Sequence, residues 1–404
     1  MEEWKSYLME EVIEEIAMGP FGSNIKVDCF VDSGVPVLNG SNLQGFKLNE
    51  ESFNYVTEEK ANSLNKANAH RGDIVITHRG TLGQIVYIPS DSQYERYVIS
   101  QSQFRVRLNT QIALPQFVVY YFHTRIGQHR LLANASQVGV PAIARPSTTF
   151  KTVPIELPSL EKQMRIVGIL DSLSNKIELN NRINHNLEEQ AQALFKSWFV
   201  DFEPFKNSVF VKSDLGEIPV GWEVGSIYEI ADIYYGAPFN SALFNTKSKG
   251  HPVIRIRDLE RQEPSIFTEE KHPKGRISTK GDILVGMDGE FSSHIWCGTD
   301  SWINQRISLF QPKQGISHFF LTETLRPQLK LVEATESATT VIHIGKNDYD
   351  KFKVLIPPLN VRERFYELTE PLYSHFVKNA SSNHTLAELR DSLLPKLMSG
   401  EIAV

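Results

Sequence analysis

Catalysis needs particular side chains at particular spacings, and this chain offers few of them. His185 and His384 stand at equivalent places 199 residues apart, with no acid or nucleophile paired to them at a fixed spacing. Helix packing or contact with a partner explains them better than chemistry does. Gly345-Lys346 has the Gly-Lys pair of a phosphate-binding loop without the Gly-x4 spacing that lets backbone amides cradle a phosphate. Asp201-Phe-Glu-Pro-Phe205 lacks the Pro-Pro of an amino-methyltransferase base pocket. The stretch from Gly281 to Gly289 is glycine-rich, but it matches Gly72 to Gly80 and reads as a repeated turn. No HExxH pattern and no clustered His/Cys spacing points to a metal. Cys29 and Cys297 lie in different halves of the chain, which suits a reducing cytoplasm. The expectation is a chain with no catalytic residue, no metal and no cofactor of its own.

Composition narrows the class. With 404 residues, 41% hydrophobic and 22% charged, the chain has room for two or three ordinary globular domains. No apolar run approaches the roughly 20 residues of a membrane span, and the start, Met-Glu-Glu-Trp, shows no signal peptide, so a cytoplasmic protein is expected. Net charge is −6. Residues 1–150 carry 13 basic and 15 acidic side chains, and residues 206–350 carry 16 and 19. Tight, salt-driven nucleic-acid binding usually needs a strongly basic domain, so any such role must use local patches or a partner's charge.

The elements that would position such patches repeat. Residues from Leu157 to about Val200 align without a gap on Ile356 to about Ser399, at an offset of 199. Pro158, Leu160, Arg165 and Leu173 match Pro357, Leu359, Arg364 and Leu372. Each segment predicts one long helix with an apolar seam in alternating steps of four and three. The first seam runs Ile166, Leu170, Leu173, Ile177, Asn180, Asn184, Leu187, Ala191, Leu194 and Trp198; the second places Asn379 and Asn383 at the matching steps. Polar residues in such a seam either fix register or mark a wet, loosely packed stretch. Neither helix of about 40 residues, roughly 60 Å long, buries its seam alone, so antiparallel pairing of the two is expected. The intervening segments are also alike: Gly34-Val-Pro-Val-Leu38 resembles Gly250-His-Pro-Val-Ile254, Arg71-Gly-Asp-Ile-Val-Ile76 resembles Lys280-Gly-Asp-Ile-Leu-Val285, and Val98-Ile-Ser-Gln101 resembles Trp302-Ile-Asn-Gln305.

This layout resembles the specificity subunit of type I restriction–modification systems over the whole chain. The most specific carriers are Leu157-Pro-Ser-Leu-Glu-Lys-Gln163, Gln192-Ala-Leu-Phe-Lys-Ser-Trp-Phe199, Gly216-Glu-Ile-Pro-Val-Gly-Trp222 and Leu393-Leu-Pro-Lys-Leu-Met-Ser-Gly-Glu-Ile402. Asn360-Val-Arg362 departs from Glu161-Lys-Gln163 in the first copy, which puts the equivalence of two docking surfaces in doubt. The resemblance implies α/β or α+β target-recognition domains at 1–156 and 206–355, and helical spacers at 157–205 and 356–404 in an antiparallel coiled coil with pseudo-two-fold symmetry. It implies double-stranded DNA as ligand, two methyltransferase subunits as partners, and restriction subunits joined through them. S-adenosylmethionine, ATP and Mg belong to those partners. A scaffold with two ligand-binding heads is the alternative reading, followed by a self-contained methyltransferase or nuclease.

Base-edge readout needs Arg, Lys, Asn, Gln, Ser, Thr or His on exposed loops. In the first domain the candidates are Ser23, Asn24, Lys26, Asn39, Ser41, Asn42, Gln44, His78, Arg79, Thr81 and Gln101. In the second they are Asn240, Ser241, Arg255, Arg257, Lys274, Arg276, Ser293, His294, Arg306, His343 and Lys346. Each is equally a solvated turn residue. Arg79 follows an apolar strand, and Arg255 and Arg257 alternate with Ile254 and Ile256 as on a half-exposed strand. Gly19, Gly22 and Gly80 allow close approach to phosphates or serve simple turns. Asn180, Asn184, Asn379 and Asn383 are candidates for helix register. Trp198 and Phe199 belong to an aromatic cluster that either packs in a core or docks a partner.

Overall fold

The computed structural model describes residues 4–20, 24–136, 139–289, 291–335 and 343–404. The chain divides into two units, residues 1–174 with 388–404, and residues 175–387.

In the first unit, a four-stranded antiparallel sheet runs in spatial order Ile13–Met18, Gln103–Leu108, Ile74–Thr77, Ile85–Tyr87. Side chains alternate faces along a strand, so Ile74 and Ile76 enter a core with Phe104, Phe117 and Phe122. Val75, pointing the other way, joins Val35, Val86 and Val98 in a second core. That second core carries another four-stranded sheet, Asn54–Val56, Val35–Val37, Arg96–Val98, Asn68–His70, in which only the central pair is parallel. A two-stranded ribbon, Lys5–Leu8 with Pro154–Leu157, leads into the first long helix, Leu160–Phe195. Residues 115–132 form two helices, Pro115–His123 and Arg125–Leu132; the Thr124 hydroxyl between them accepts from Gly127 N at 3.0 Å and caps the second.

The second unit repeats this topology strand for strand. Its antiparallel sheet runs Ala231–Tyr235, Ile307–Pro312, Ile283–Gly286, Ser293–Ile295. Its other sheet runs Phe267–Thr268, His251–Ile254, Ser301–Ile303, Ile277–Ser278, again parallel only at the centre. A ribbon of Glu223–Ser226 with Lys353–Ile356 leads into the second long helix, Leu359–Met398. Every neighbouring strand pair in these sheets is antiparallel except the central pair of each smaller sheet, and no single helix links the two strands of either parallel pair. The class is therefore α+β; the α/β reading is corrected.

The long helices meet in each unit. In the first, Ile166, Val167 and Leu170 share a core with Leu394, Leu397 and Met398. In the second, Asn180 Nδ2 donates to Asn383 Oδ1 (2.8 Å), Asn383 Nδ2 to Asn181 Oδ1 (2.7 Å), Asn379 Nδ2 to Asn184 Oδ1 (3.1 Å) and Asn184 Nδ2 to the Phe376 carbonyl (3.1 Å). One partner's numbers rise as the other's fall, which is the antiparallel direction. The first helix closes in a π-turn, Lys196–Val200, that drives Phe199 into a core with Trp222, Phe320 and Phe365. Phe199 is 6% exposed, so its place as a docking residue is corrected to core packing. Trp198 is half-buried against Phe205 and Phe365.

Candidate nucleic-acid interface

Three loops of the first unit are tied together at one end of its antiparallel sheet. Thr77, last of its strand, donates through Oγ1 to Gln84 Oε1 (3.1 Å), and Gln84 Nε2 donates to the Gly40 carbonyl (3.0 Å). Gln103 Nε2 reaches the Asn39 carbonyl (3.2 Å), while its Oε1 accepts from Ser100 N (2.9 Å). His78 Nε2 lies 3.2 Å from the Gln101 carbonyl. Burial pulls the His78 pKa down, so the ring is neutral at pH 7 and its Nε2–H donates to that carbonyl. Gly80, at φ +88°, turns the chain, and Gly80 N bonds the Pro141 carbonyl (2.9 Å). What this framework leaves exposed is Ser41, Gln44, Arg79, Thr81 and Gln101. Among the described residues Arg79 makes no ion pair. Asn24 and Lys26 are exposed and share no side-chain hydrogen bond with this group among the described residues. Gly22 and Ser23 lie outside the described residues.

The 39–42 turn is a built cap. Asn39 Oδ1 accepts from Ser41 N (2.8 Å), and Asn42 Oδ1 accepts from Asn39 N (2.9 Å). Asn42 Nδ2 donates to the carbonyls of Asn49 and Ser52, both at 3.0 Å. Asn42 is 1% exposed, so it leaves the reading set: its amide holds the loop.

The second unit builds the same turn with different residues. Asp258 Oδ2 accepts from Arg255 N (2.9 Å), as Asn42 does from Asn39. The strand expected to run through Arg257 stops at Ile254, and Ile256–Leu259 is a short helix. Arg255 is therefore corrected from a strand residue to a cap: its guanidinium clamps the buried Asp258 at 3.0 and 3.2 Å and reaches Ser265 Oγ at 2.5 Å. Arg257 sits at the register of Ser41 and is exposed.

Sheet register aligns the rest. Ile74 pairs Val106 and Ile283 pairs Phe310; one step past each strand, His78 N bonds the Ser102 carbonyl (2.8 Å) and Met287 N the Arg306 carbonyl (2.9 Å). Arg79 thus corresponds to Asp288, and Ser102 to Arg306. Both Arg79 and Asp288 form an isolated antiparallel bridge, to Ala142 and to His343. The Asp288 carboxylate lies 2.7 Å from His343 Nδ1 and 3.4 Å from Arg306 Nε, and Arg306 Nη1 is 3.0 Å from His343 Nδ1. Arg306 and His343 were among the sequence candidates; Asp288 was not. The signal that finds Asp288 is its place beside Gly289, matched to Gly80.

Other candidates fall elsewhere. Arg276 stacks on the Tyr234 ring at 3.7 Å and reaches Gln311. Gln311 is five residues along its strand from Arg306, about 17 Å at strand rise, so Arg276 and the neighbouring exposed Lys274 belong to the opposite end. Asn240 caps a 3₁₀ turn through Ala242 N (3.0 Å), with exposed Ser241 in that turn. Lys346 pairs with Asp350 at 2.9 Å. Ser293 pairs Val285 in the sheet, and the next residue, His294, bonds Ser292 Oγ at 2.8 Å and has its pKa lowered by burial. Gly19 approaches no external group: a Cβ there would strike the carbonyl oxygens of Ser100 and Gln103, and one at Gly236 would strike that of Asn304. Among the described residues no cluster of three His, Cys, Asp or Glu side chains could hold a metal, and no helix is long and apolar enough to cross a membrane.

Comparison with known proteins gives this framework a family. The model of the type I restriction modification DNA specificity domain matches residues 1–189 and 219–381. The type I restriction enzyme MjaIX specificity subunit of Methanocaldococcus jannaschii is 26% identical over 411 residues, covering 97% of this chain and 92% of that one. The HindI specificity subunit of Haemophilus influenzae is 22% identical, with full coverage of both chains. Among solved structures, the S subunit of a type I restriction–modification system from M. genitalium shares the fold at TM-score 0.57 and 14% identity, over 98% of this chain and 96% of that one. By the match of the family model to both units, the chain belongs to the DNA-specificity subunits of type I restriction–modification systems.

Proposed function

We propose that this specificity subunit reads a two-part, asymmetric DNA target, one half with each recognition domain. The domains are residues 1–156 and 206–355. The segments 157–205 and 356–404 act as an antiparallel coiled coil that sets the unread gap and docks two methyltransferase subunits, through which restriction subunits join. Chemistry belongs to those partners, with their S-adenosylmethionine, ATP and Mg; this chain binds and orients the duplex. One observation supports the reading best. The same sheet topology occurs twice, with unlike side chains at matching positions where the strands end and loops begin: Ser41 and Arg257, Arg79 and Asp288, Ser102 and Arg306. Two related frames with different contacts suit two different half-sites. The net charge of −6 suits a subunit whose partners supply most phosphate contacts.

Co-expression with the methyltransferase subunit, followed by single-molecule mapping of methylated adenines, tests this. A split motif with a fixed gap is expected. Exchanging residues 206–355 for those of another specificity subunit should change one half only. A stable complex that methylates nothing would favour the two-headed scaffold instead.

A further inference from the structure

We propose that Arg306 is the guanine-reading residue of the second recognition domain, with Asp288 and His343 as the residues that position it; this rests on the DNA reading above. A guanidinium carries five N–H donors and no acceptor. Arg306 directs Nε toward Asp288 Oδ2 at 3.4 Å and Nη1 toward the His343 ring at 3.0 Å. Its side chain is still 51% exposed, and because His343 Nδ1 donates to Asp288 Oδ1 it accepts nothing from Arg306, so the terminal nitrogens keep their donors for a ligand. In the major groove, O6 and N7 of guanine are the adjacent acceptor pair that such a fork meets; adenine replaces one acceptor with a donor.

Asp288 is not itself the reader. Each of its oxygens already faces a donor, Oδ1 toward His343 at 2.7 Å and Oδ2 toward Arg306. It is the least exposed of the three, and a bare carboxylate at a phosphate-lined groove is repelled. Its effect is to restrict a side chain that otherwise has many rotamers, so that less freedom is lost on binding. The first domain arranges the register the other way round. The cation, Arg79, occupies the strand exit that Asp288 takes in the second, and Ser102 faces it where Arg306 would stand. Among the described residues, one strand-end frame thus carries an arginine without an ion pair in one domain and a braced one in the other.

The test uses the full chain in complex with its methyltransferase subunit, with methylated motifs mapped for the wild type, Arg306→Gln, Arg306→Lys and Asp288→Asn. The wild type should show an invariant guanine (on either strand) in the half assigned to residues 206–355. Arg306→Gln should lower discrimination at that one position by about 10- to 100-fold, leaving the other half unchanged. Arg306→Lys, which keeps the charge but not the fork, should relax the same position. Asp288→Asn should relax it several-fold, an effect that general loosening of the fold would not confine to one base. An unchanged motif in Arg306→Gln, relaxation in the other half, or uniform loss of methylation by a folded complex would each overturn the inference while the two-part reading stands. Absence of any split motif in the wild type would instead remove the reading on which it rests.

Discussion

Asn42 and Ser41 are neighbours with opposite duties. Asn42 joins three backbone groups from three places in the chain; Ser41 projects from the loop that Asn42 holds. Replacing Asn42 by Leu strands those groups, and a loss of about 2–4 kcal/mol is expected in urea denaturation. Ser41→Ala should stay within about 0.5 kcal/mol. Gly19→Ala has no side-chain neighbour to displace, only the backbone oxygens of Ser100 and Gln103. Overpacking against backbone should cost about 3 kcal/mol or more, seen as a lower urea midpoint. At this scale the sequence was only half legible. Arg255-Ile-Arg257 alternates like a strand, but a side-chain bond from Asp258 to the Arg255 amide turns the chain into a helix one residue past Ile254. Periodicity cannot register a capping bond. Asp288, and its contact with the candidate His343, were invisible for another reason: the two are 55 residues apart and meet only through a bridge between loops.

Two element-scale features distinguish polar packing that specifies register from polar packing that neutralises charge. In the seam of the long helices, Asn184 and Asn379 bond each other at 3.1 Å, and Asn184 also bonds the Phe376 carbonyl. Asn184→Ala leaves the buried Asn379 amide and the Phe376 carbonyl without this partner and should cost about 1–3 kcal/mol. A double-mutant cycle with Asn379→Ala should return a coupling of about 1 kcal/mol; simple additivity would show that the pair does not act as a unit. In the first unit, Arg107 clamps the fully buried Asp73 at 2.9 and 3.2 Å, and Arg105 donates to Glu15 at 2.5 Å and lies 3.6 Å from Asp73. Sheet register puts Leu309 and Gln311 of the second unit where Arg105 and Arg107 stand, so only the first unit has this cluster. The Arg105 guanidinium holds the Glu15 carboxyl below its usual range. A lowered folded-state pKa gives stability that is present above the ordinary value near 4.5 and is lost as pH falls through the lowered one. Arg130 acts on Glu156 with the same sign. Urea midpoints measured from pH 6 down to 3 should therefore fall, and Arg105→Leu should flatten part of that slope. The seam was legible in the sequence because heptad spacing is local. The Arg105 cluster was not, because its members come from three strands or strand ends far apart in the chain.

For the whole molecule, the repeat itself was the most legible feature. Turn glycines such as Gly72 and Gly281, at φ +86° and +94°, and the apolar strands after them keep the same order in both copies. Of the two classes expected, α+β holds and α/β does not; the two stayed open because parallel and antiparallel buried strands read alike as short apolar runs. If the helical segments set the unread gap, removing one matched heptad from each shortens the spacer by about 10 Å, or about three base pairs at 3.4 Å each. Methylated motifs from such a variant should keep both halves and lose about three bases between them; an unchanged gap would show that the helices are not the ruler.

Ser41, Arg79, Thr81 and Gln101 all sit where the hydrogen-bonded ladders end, outside both cores of their unit. A library randomised at these positions should melt within about 2 °C of its parent, a spread that differential scanning fluorimetry measures directly. Evolution would then meet a flat stability landscape at the positions proposed to decide the address. New targets become reachable by single codon changes through folded intermediates, and drift at these codons goes unpunished by the cell's quality control.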